Sequence, residues 1–363
     1  MGSDCISYVI RISVRIWNFT TGFEGRPRRS SIISMRDQFG ISHSGVIKGY
    51  AGMTDRTNSI PKCSIVVDDN NLCGESPLWD AAEGILYWTD NAASKFYRYD
   101  WASKEREVLL DGFEVNGCAL DRSGALIFVN NAGIWISDKK KEDPPVLIVD
   151  TAETDKLQLN DCIADPQGRL LAGTCHYEAT GSYPLGKLIS MGQDGKVTIL
   201  DEGFHLANGL GFSPDGTTLY FSDSIQRTVY RYHYDSLTGR AHDRQVFVQL
   251  DKRSGIPDGL TVDAEGFVWL AEWYGGCISR YDPEGKRERQ IATPAKQTSS
   301  LNFGGPELCD IFITSASKPE PTPAMPFGYD PNSGYFGGAL FHINVGIRGK
   351  AEYRTLLDIG MRP

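Results

Sequence analysis

The sequence predicts an all-β chain: a six-bladed β-propeller, with four-stranded antiparallel blades around a central channel. Three observations carry the prediction. Gly at 39, Pro at 18 and aromatics at 11% of 363 residues favour many short strands joined by tight turns. Strand-like segments recur from Cys73 onward, with Leu86, Leu126, Leu170, Leu219, Val268 and Ile311 as markers 40, 44, 49, 49 and 43 residues apart. The first five markers each follow a Gly-containing turn, namely DAAEG, DRSG, DPQG, SPDG and DAEG. A sandwich would not repeat one turn register five times, and a parallel β-helix uses shorter repeats.

The elements follow in order. The first unit runs through ILYWTDN from Ile85 and FYRYD from Phe96. The second is marked by LIFVNN and the third by LLAGT. The fourth carries LYFSDS and VYRYHYD, the fifth VWLAEW and CISRYD, and the sixth DIFITSA. Each unit reads strand, tight turn, strand, loop, strand, with room for a fourth. Ring closure is expected to pair Cys63–Val67 with the last unit, near Gly338–Ile343 and Tyr353–Leu357. The Pro-rich stretch from Lys318 to Pro331 interrupts that unit as a long loop: a lid over the channel, a dimer contact or plain surface.

Composition narrows the function classes. Hydrophobic residues at 40% and charged residues at 23% exclude a disordered chain. A net charge of −9 argues against a nucleic-acid partner, and no apolar run reaches the length needed to span a membrane. The expected partner is a small molecule, bound by a monomer or a weak homo-oligomer. Eight cysteines without a CxxC pair read as reduced, mostly buried thiols. Residues 1–60 differ from the rest, with eight Lys/Arg against four Asp/Glu, which leaves −13 for residues 61–363. Arg11 and Arg15 break the apolar core that a secretory signal needs, so the expected location is cytoplasmic. This extension fits an organellar transit peptide, or an upstream extension of the reading frame with Met35 or Met53 as the start. The propeller domain is placed at 61–363.

The units can be registered on their turns. Counting back five residues from Asp80, Asp121, Asp165, Ser213 and Asp263 reaches Glu75, Asn116, Asn160, Asn208 and Asp258. The same count from Gly305 reaches Ser300. Equivalent positions on six inner strands face one axis, so these residues are expected to ring one mouth of the channel. Two carboxylates among several amide oxygens form a hard-oxygen cluster suited to one divalent ion, Ca²⁺ first, then Mn²⁺ or Mg²⁺. Zn²⁺ is less favoured because no His or Cys stands in the ring.

Four strings then resemble the senescence marker protein-30/gluconolactonase/regucalcin family of six-bladed propeller lactonases. They are CGESPLWD from Cys73, LNDCIADPQGRLLAGT from Leu159, ANGLGFSPDGTTLYFSDS from Ala207 and IPDGLTVDAEGFVWLAEWYGG from Ile256. The resemblance covers about residues 72–345. It implies that Glu75, Asn208 and Asp258 hold the metal, and that Asn160 lies beside it in contact with substrate. It also implies substrate-side roles for the position of Gln158, where mammalian members have Arg, and for Glu178. His176 and Tyr177 are expected to remodel that wall. The implied reaction is metal-dependent hydrolysis of a sugar aldonolactone to the aldonic acid, with Asp258 as first candidate for general base and Asp161 as second. Trp273, Tyr274 and Phe303 are candidates to frame the mouth. The competing readings are a non-catalytic calcium-binding propeller and a paraoxonase-like ester hydrolase. No GxSxG string places a serine nucleophile. The scattered histidines read as structural, and Lys139-Lys140-Lys141 as a solvated turn.

Overall fold

Six four-stranded antiparallel sheets succeed one another along the chain as blades 1 to 6. A computed structural model describes residues 62–139, 143–151, 158–175, 186–319 and 321–357, and the backbone of 177–178 and 181–182. The extension 1–60, His176, Lys140 and Lys141 lie outside the described residues. The six first strands are Gly74–Asp80, Gly117–Leu120, Gln158–Ala164, Ala207–Phe212, Ile256–Val262 and Thr298–Gly304. Blade 6 is completed by Asp310–Ser315, Leu340–Asn344 and, from the other end of the chain, Ser64–Val67. That strand pairs antiparallel with Leu340–Asn344, which closes the ring as expected. Among the described residues, no helix is long and apolar enough to cross a membrane.

The turns behind the repeat are built on aspartate side chains. Asp121, Asp165 and Asp263 accept from the backbone N–H two residues on, at 2.9, 2.9 and 3.0 Å. Such Asx contacts replace ladder bonds where the chain reverses. These carboxylates are 4%, 0% and 0% exposed, so each needs further partners. Asp165 meets Arg169 at 2.7 Å, and Asp263 meets Arg280 at 2.7 Å. Lys139 is no solvated turn residue: it reaches back to blade 1, 3.0 Å from Asp80 and 3.1 Å from Glu83.

Between blades the faces are apolar. Blades 5 and 6 share a cluster of Trp269, Ile278, Phe303, Ile311 and Phe341. Phe303 stands edge-on to Trp269 with centroids 6.0 Å apart, and is 2% exposed. It therefore holds two blades together and does not frame the mouth. None of the seven described cysteines is in a disulfide, and Cys73, Cys118, Cys162 and Cys277 are buried.

Tyr353–Leu357 departs from expectation. These residues add no strand to blade 6; they belong to a strap that crosses the turn-side end of the propeller. Gly349 N–H donates to Leu308 O at 2.7 Å, Ala264 N–H to Arg348 O at 2.9 Å and Leu356 N–H to Gly168 O at 2.8 Å. Arg354 reaches Asp80 at 2.6 Å, and the Tyr353 ring lies 6.0 Å from that of Phe212. Thr355 N–H donates to Leu120 O at 2.9 Å. All six blades thus meet one segment. Its registration rests on Thr355, which is fully buried and donates through Oγ1 to Asp121 Oδ2 at 2.8 Å.

Thr355→Val keeps the shape and removes that donor, leaving a buried carboxylate short of a partner. We expect a loss of about 1–3 kcal/mol, read as a lower urea midpoint with an unchanged slope. An unchanged midpoint would mean the strap adds nothing to stability.

Candidate functional site

At the mouth opposite the strap, five of the six blades deliver a polar side chain, from the first strand or the residue just before it, to one cavity of about 380 Å³. Glu75, Asn116, Asn160, Asn208 and Asp258 all line it, as the turn register predicts. Its size falls in the range of small-ligand sites, roughly 300–1,000 Å³. Ser300 is the exception. It lines a narrower space of about 50 Å³ deeper in the channel, among Leu78, Leu210, Leu260 and Leu301. That inner space has room for only a few waters, and Glu352 and Tyr353 of the strap line it.

The reason for Ser300's depth lies in the ladder. First strands break register with their partners at Glu75/Leu78, Leu159/Cys162, Asn208/Leu210, Pro257/Leu260 and Thr298/Leu301. Bulges re-aim side chains off the pleat. In blade 6 the skipped pair is Ser299 and Ser300. Ser299, not Ser300, matches Asn160 and Asp258 by register, and its hydroxyl turns sideways to Gly74 O at 2.5 Å. The bulge of blade 1 passes through Ser76, whose φ of 48° is unusual for a residue with a side chain.

Glycine is required beside two of the ring residues. A Cβ on Gly209 would lie 2.4 Å from Asp258 O, and one on Gly259 would lie 2.1 Å from Ser300 Oγ. The Asn-Gly and Asp-Gly pairs therefore follow from close strand approach at the axis.

Hydrogen bonds fix how the amides present themselves. Asn160 Nδ2 donates to Ala207 O at 2.8 Å and to Asn208 Oδ1 at 2.6 Å. Asn208 Nδ2 donates to Ser224 Oγ at 2.8 Å. Both Asn160 donors are thus committed, which leaves its Oδ1 as an acceptor toward the cavity, while Asn208 Oδ1 keeps one lone pair. Asn116 Nδ2 is tied to Leu159 O at 2.9 Å. Asp258 is 4% exposed within the wall. Two carboxylates and an amide oxygen suit a hard divalent cation. Among the described residues no three His, Cys, Asp or Glu side chains gather as a metal group, so the amide of Asn208 would be needed as third donor.

Asp161 lines both the mouth cavity and the inner space. Burial pushes its carboxyl up to about 6, against lowering contacts from Cys162 N–H at 2.8 Å and Ser76 Oγ at 3.5 Å. Gln158 sits exposed at the rim. The backbone of Tyr177–Glu178 pairs with Gly181–Ser182 as an extra hairpin of blade 3, and the Glu178 side chain lies outside the described residues. Trp273 lines the cavity, whereas Tyr274 serves it indirectly: its hydroxyl receives Thr322 N–H at 2.9 Å and so holds a loop that also lines the mouth. The Pro-rich stretch is thereby a wall of the cavity.

Some residues escaped the sequence reading. Glu114 and Asn131 line the mouth joined at 2.8 Å, with burial raising the Glu114 carboxyl. No repeat signal marks Glu114. Asp90 accepts from Leu72 and Cys73 N–H at 2.7 and 3.0 Å, and Asp223 from His205 and Leu206 N–H at 3.0 and 3.3 Å. These aspartates pin the loops that enter Glu75 and Asn208. Their signal was visible, as the Asp closing ILYWTD and LYFSD.

Ionised Asp161 burdens the fold. Its carboxyl binds a proton more tightly folded than unfolded, so stability falls as pH rises from about 4 to about 6. In cation-free protein, Asp161→Asn should melt several degrees higher at pH 7.5, with the gain shrinking toward pH 4.5. Equal melting at both pH values would refute the burial argument.

Known proteins were compared with this chain. The sequence model described as the SMP-30/Gluconolactonase/LRE-like region matches residues 73–317. A pentonolactonase, XacC of Haloferax volcanii, is 34% identical over 81% of this chain and 98% of its own length. Regucalcin of Xenopus laevis is 34% identical over 70% of this chain and 87% of its own. Among solved structures, a luciferin-regenerating enzyme superposes with a TM-score of 0.74 at 26% identity, covering 82% of this chain and all of its own. The chain belongs to the SMP-30/gluconolactonase/LRE-like family.

Proposed function

We propose that the protein hydrolyses a sugar aldonolactone to the open acid in the mouth cavity, with Glu75, Asn208 and Asp258 holding one divalent cation. One observation carries the reading: polar side chains from five blades converge on a single one-ended cavity whose walls are rich in amides. Such walls suit a ligand covered with hydroxyls, since each sugar hydroxyl needs a fixed donor or acceptor. The name of the Haloferax volcanii relative supports the same substrate class.

The cation would polarise the lactone carbonyl, and Ca²⁺ is the first choice for an all-oxygen donor set, ahead of Mn²⁺, Mg²⁺ and Zn²⁺. Asn160 offers only its Oδ1, so it accepts from a substrate hydroxyl. Gln158 at the rim offers both donor and acceptor, and Glu178 is assigned a further hydroxyl by the family resemblance. Asp258 takes the proton of the attacking water, and Asp161 is its alternative. The strap behind the narrow inner space leaves one side for entry and release.

The test is a pH-indicator assay on chelated protein, with each cation restored in turn over a panel of aldonolactones. Cation-restored turnover is expected, and Asp258→Ala should lower it by about a thousandfold or more while weakening cation binding. Asn160→Ala should lower turnover and also weaken cation binding about tenfold, because its hydrogen bond orients Asn208. Cation binding with no turnover would instead favour a calcium-binding role. Hydrolysis of aryl esters alone would favour an ester hydrolase.

A further inference from the structure

The amides of the ring follow one rule as far as Asn208. Asn116 Nδ2 donates to Leu159 O at 2.9 Å, and Asn160 Nδ2 donates to Ala207 O at 2.8 Å. Leu159 and Ala207 stand immediately before the ring residues of the next blades, Asn160 and Asn208. In blades 2 and 3 the ring amide is thus a staple between its own blade and the first strand of the next. Continuing the series would send Asn208 Nδ2 to the carbonyl of Pro257, which precedes Asp258. It turns back instead within its own blade, to Ser224 Oγ at 2.8 Å.

The difference lies at the end of the second strand. The pairing of Leu159 with Thr174 in blade 3 matches that of Ala207 with Asp223 in blade 4. Cys175 therefore stands where Ser224 stands, and its thiol lies 3.9 Å from Gln158 O. A thiol is a weak acceptor and a hydroxyl a good one, so blade 4 offers its own amide a partner that blade 3 does not. Ser224 is fully buried, its N–H donates to Leu206 O at 3.0 Å, and its carbonyl accepts from Arg227 N–H at 3.1 Å. Burial and backbone anchoring place this acceptor without help from a ligand.

The same series decides which end of Asn208 faces the cavity. Ala207 O can only accept, so Asn160 must present Nδ2 to it, and that Nδ2 also meets Asn208 at 2.6 Å. A donor there demands Oδ1 from Asn208, which leaves Nδ2 for Ser224. An amide stapled forward has its rotation fixed by the neighbouring blade. One tied backward keeps its Oδ1 for the cavity.

We infer that Ser224 is a positioning residue for the cation: its hydroxyl draws the Asn208 amide out of the inter-blade series and so aims Oδ1 at the site shared with Glu75 and Asp258. The inference rests on the cation-holding role proposed for Asn208 and extends it to a residue outside the donor set.

The experiment is calorimetry with Ca²⁺ and with Mn²⁺ on chelated full-length protein, beside melting without cation. Ser224→Ala removes the acceptor, and Ser224→Cys rebuilds the blade 3 arrangement at a similar volume. Both should weaken cation binding about tenfold or more. Lactone turnover lost at low cation should return as the cation is raised. Unchanged cation affinity in both variants overturns the inference. A lower cation-free melting temperature with unchanged affinity also overturns it, since a merely structural serine would behave that way. Wild-type protein that binds no divalent cation would sink the cation reading and this inference together, whereas wild-type binding indifferent to Ser224 would sink the inference alone.

Discussion

Crowding of six strands at one axis is the constraint on which the rest of this structure depends. Neighbouring first strands approach so closely that Gly209 and Gly259 have no room for a Cβ. Ladders cannot continue undisturbed through such a pinch, and five of the six first strands break register there. A broken register frees residues from the alternation of the pleat. The polar groups that a sheet would otherwise bury or solvate become convergent, and the site is a by-product of how the ring packs.

The two faces of the ring divide the labour. On one, aspartates at the start of four of the turns bind backbone N–H groups, three of them with a cationic side chain as well, and the strap is laid across this end. On the other, Asp90 and Asp223 at the ends of second strands pin the loops that lead into Glu75 and Asn208. A carboxylate buried at either place is tolerable only because several donors meet it. Buried aspartates thus meet backbone N–H groups at both ends of the blades.

The legibility of the sequence followed this division. Blade spacing and the ring positions Glu75, Asn116, Asn160, Asn208 and Asp258 were readable because Asx turns of nearly constant length fix the phase of each first strand. Ser300 misled because the first strand of blade 6 pairs four residues beyond its bulge, Leu301 to Gly304, against three in blades 3 and 5, which shifts the count by one and hides Ser299 as the register match. Phe303 was a candidate to frame the mouth, but its side chain faces the blade 5–6 core. Tyr353–Leu357 carries strand-like residues but no period, so nothing in its pattern distinguishes a strap from a strand. Lys318 and Thr322 come from a Pro-rich loop whose path is set by distant partners such as Gln297 and Tyr274, and no local rule predicts it.

The strap and the closing strand together have a mechanical consequence. Ser64–Val67 fastens the ring at one end of the sequence, and Arg348–Leu356 is buttoned to every blade from the other. A blade cannot peel away singly, because loosening any one of them must also lift a segment fastened to five more. Opening is therefore a concerted event with a high barrier, slow even where the equilibrium margin is small. Such a molecule would persist by the rarity of its unfolding, and a protease would find few partly opened forms to cut.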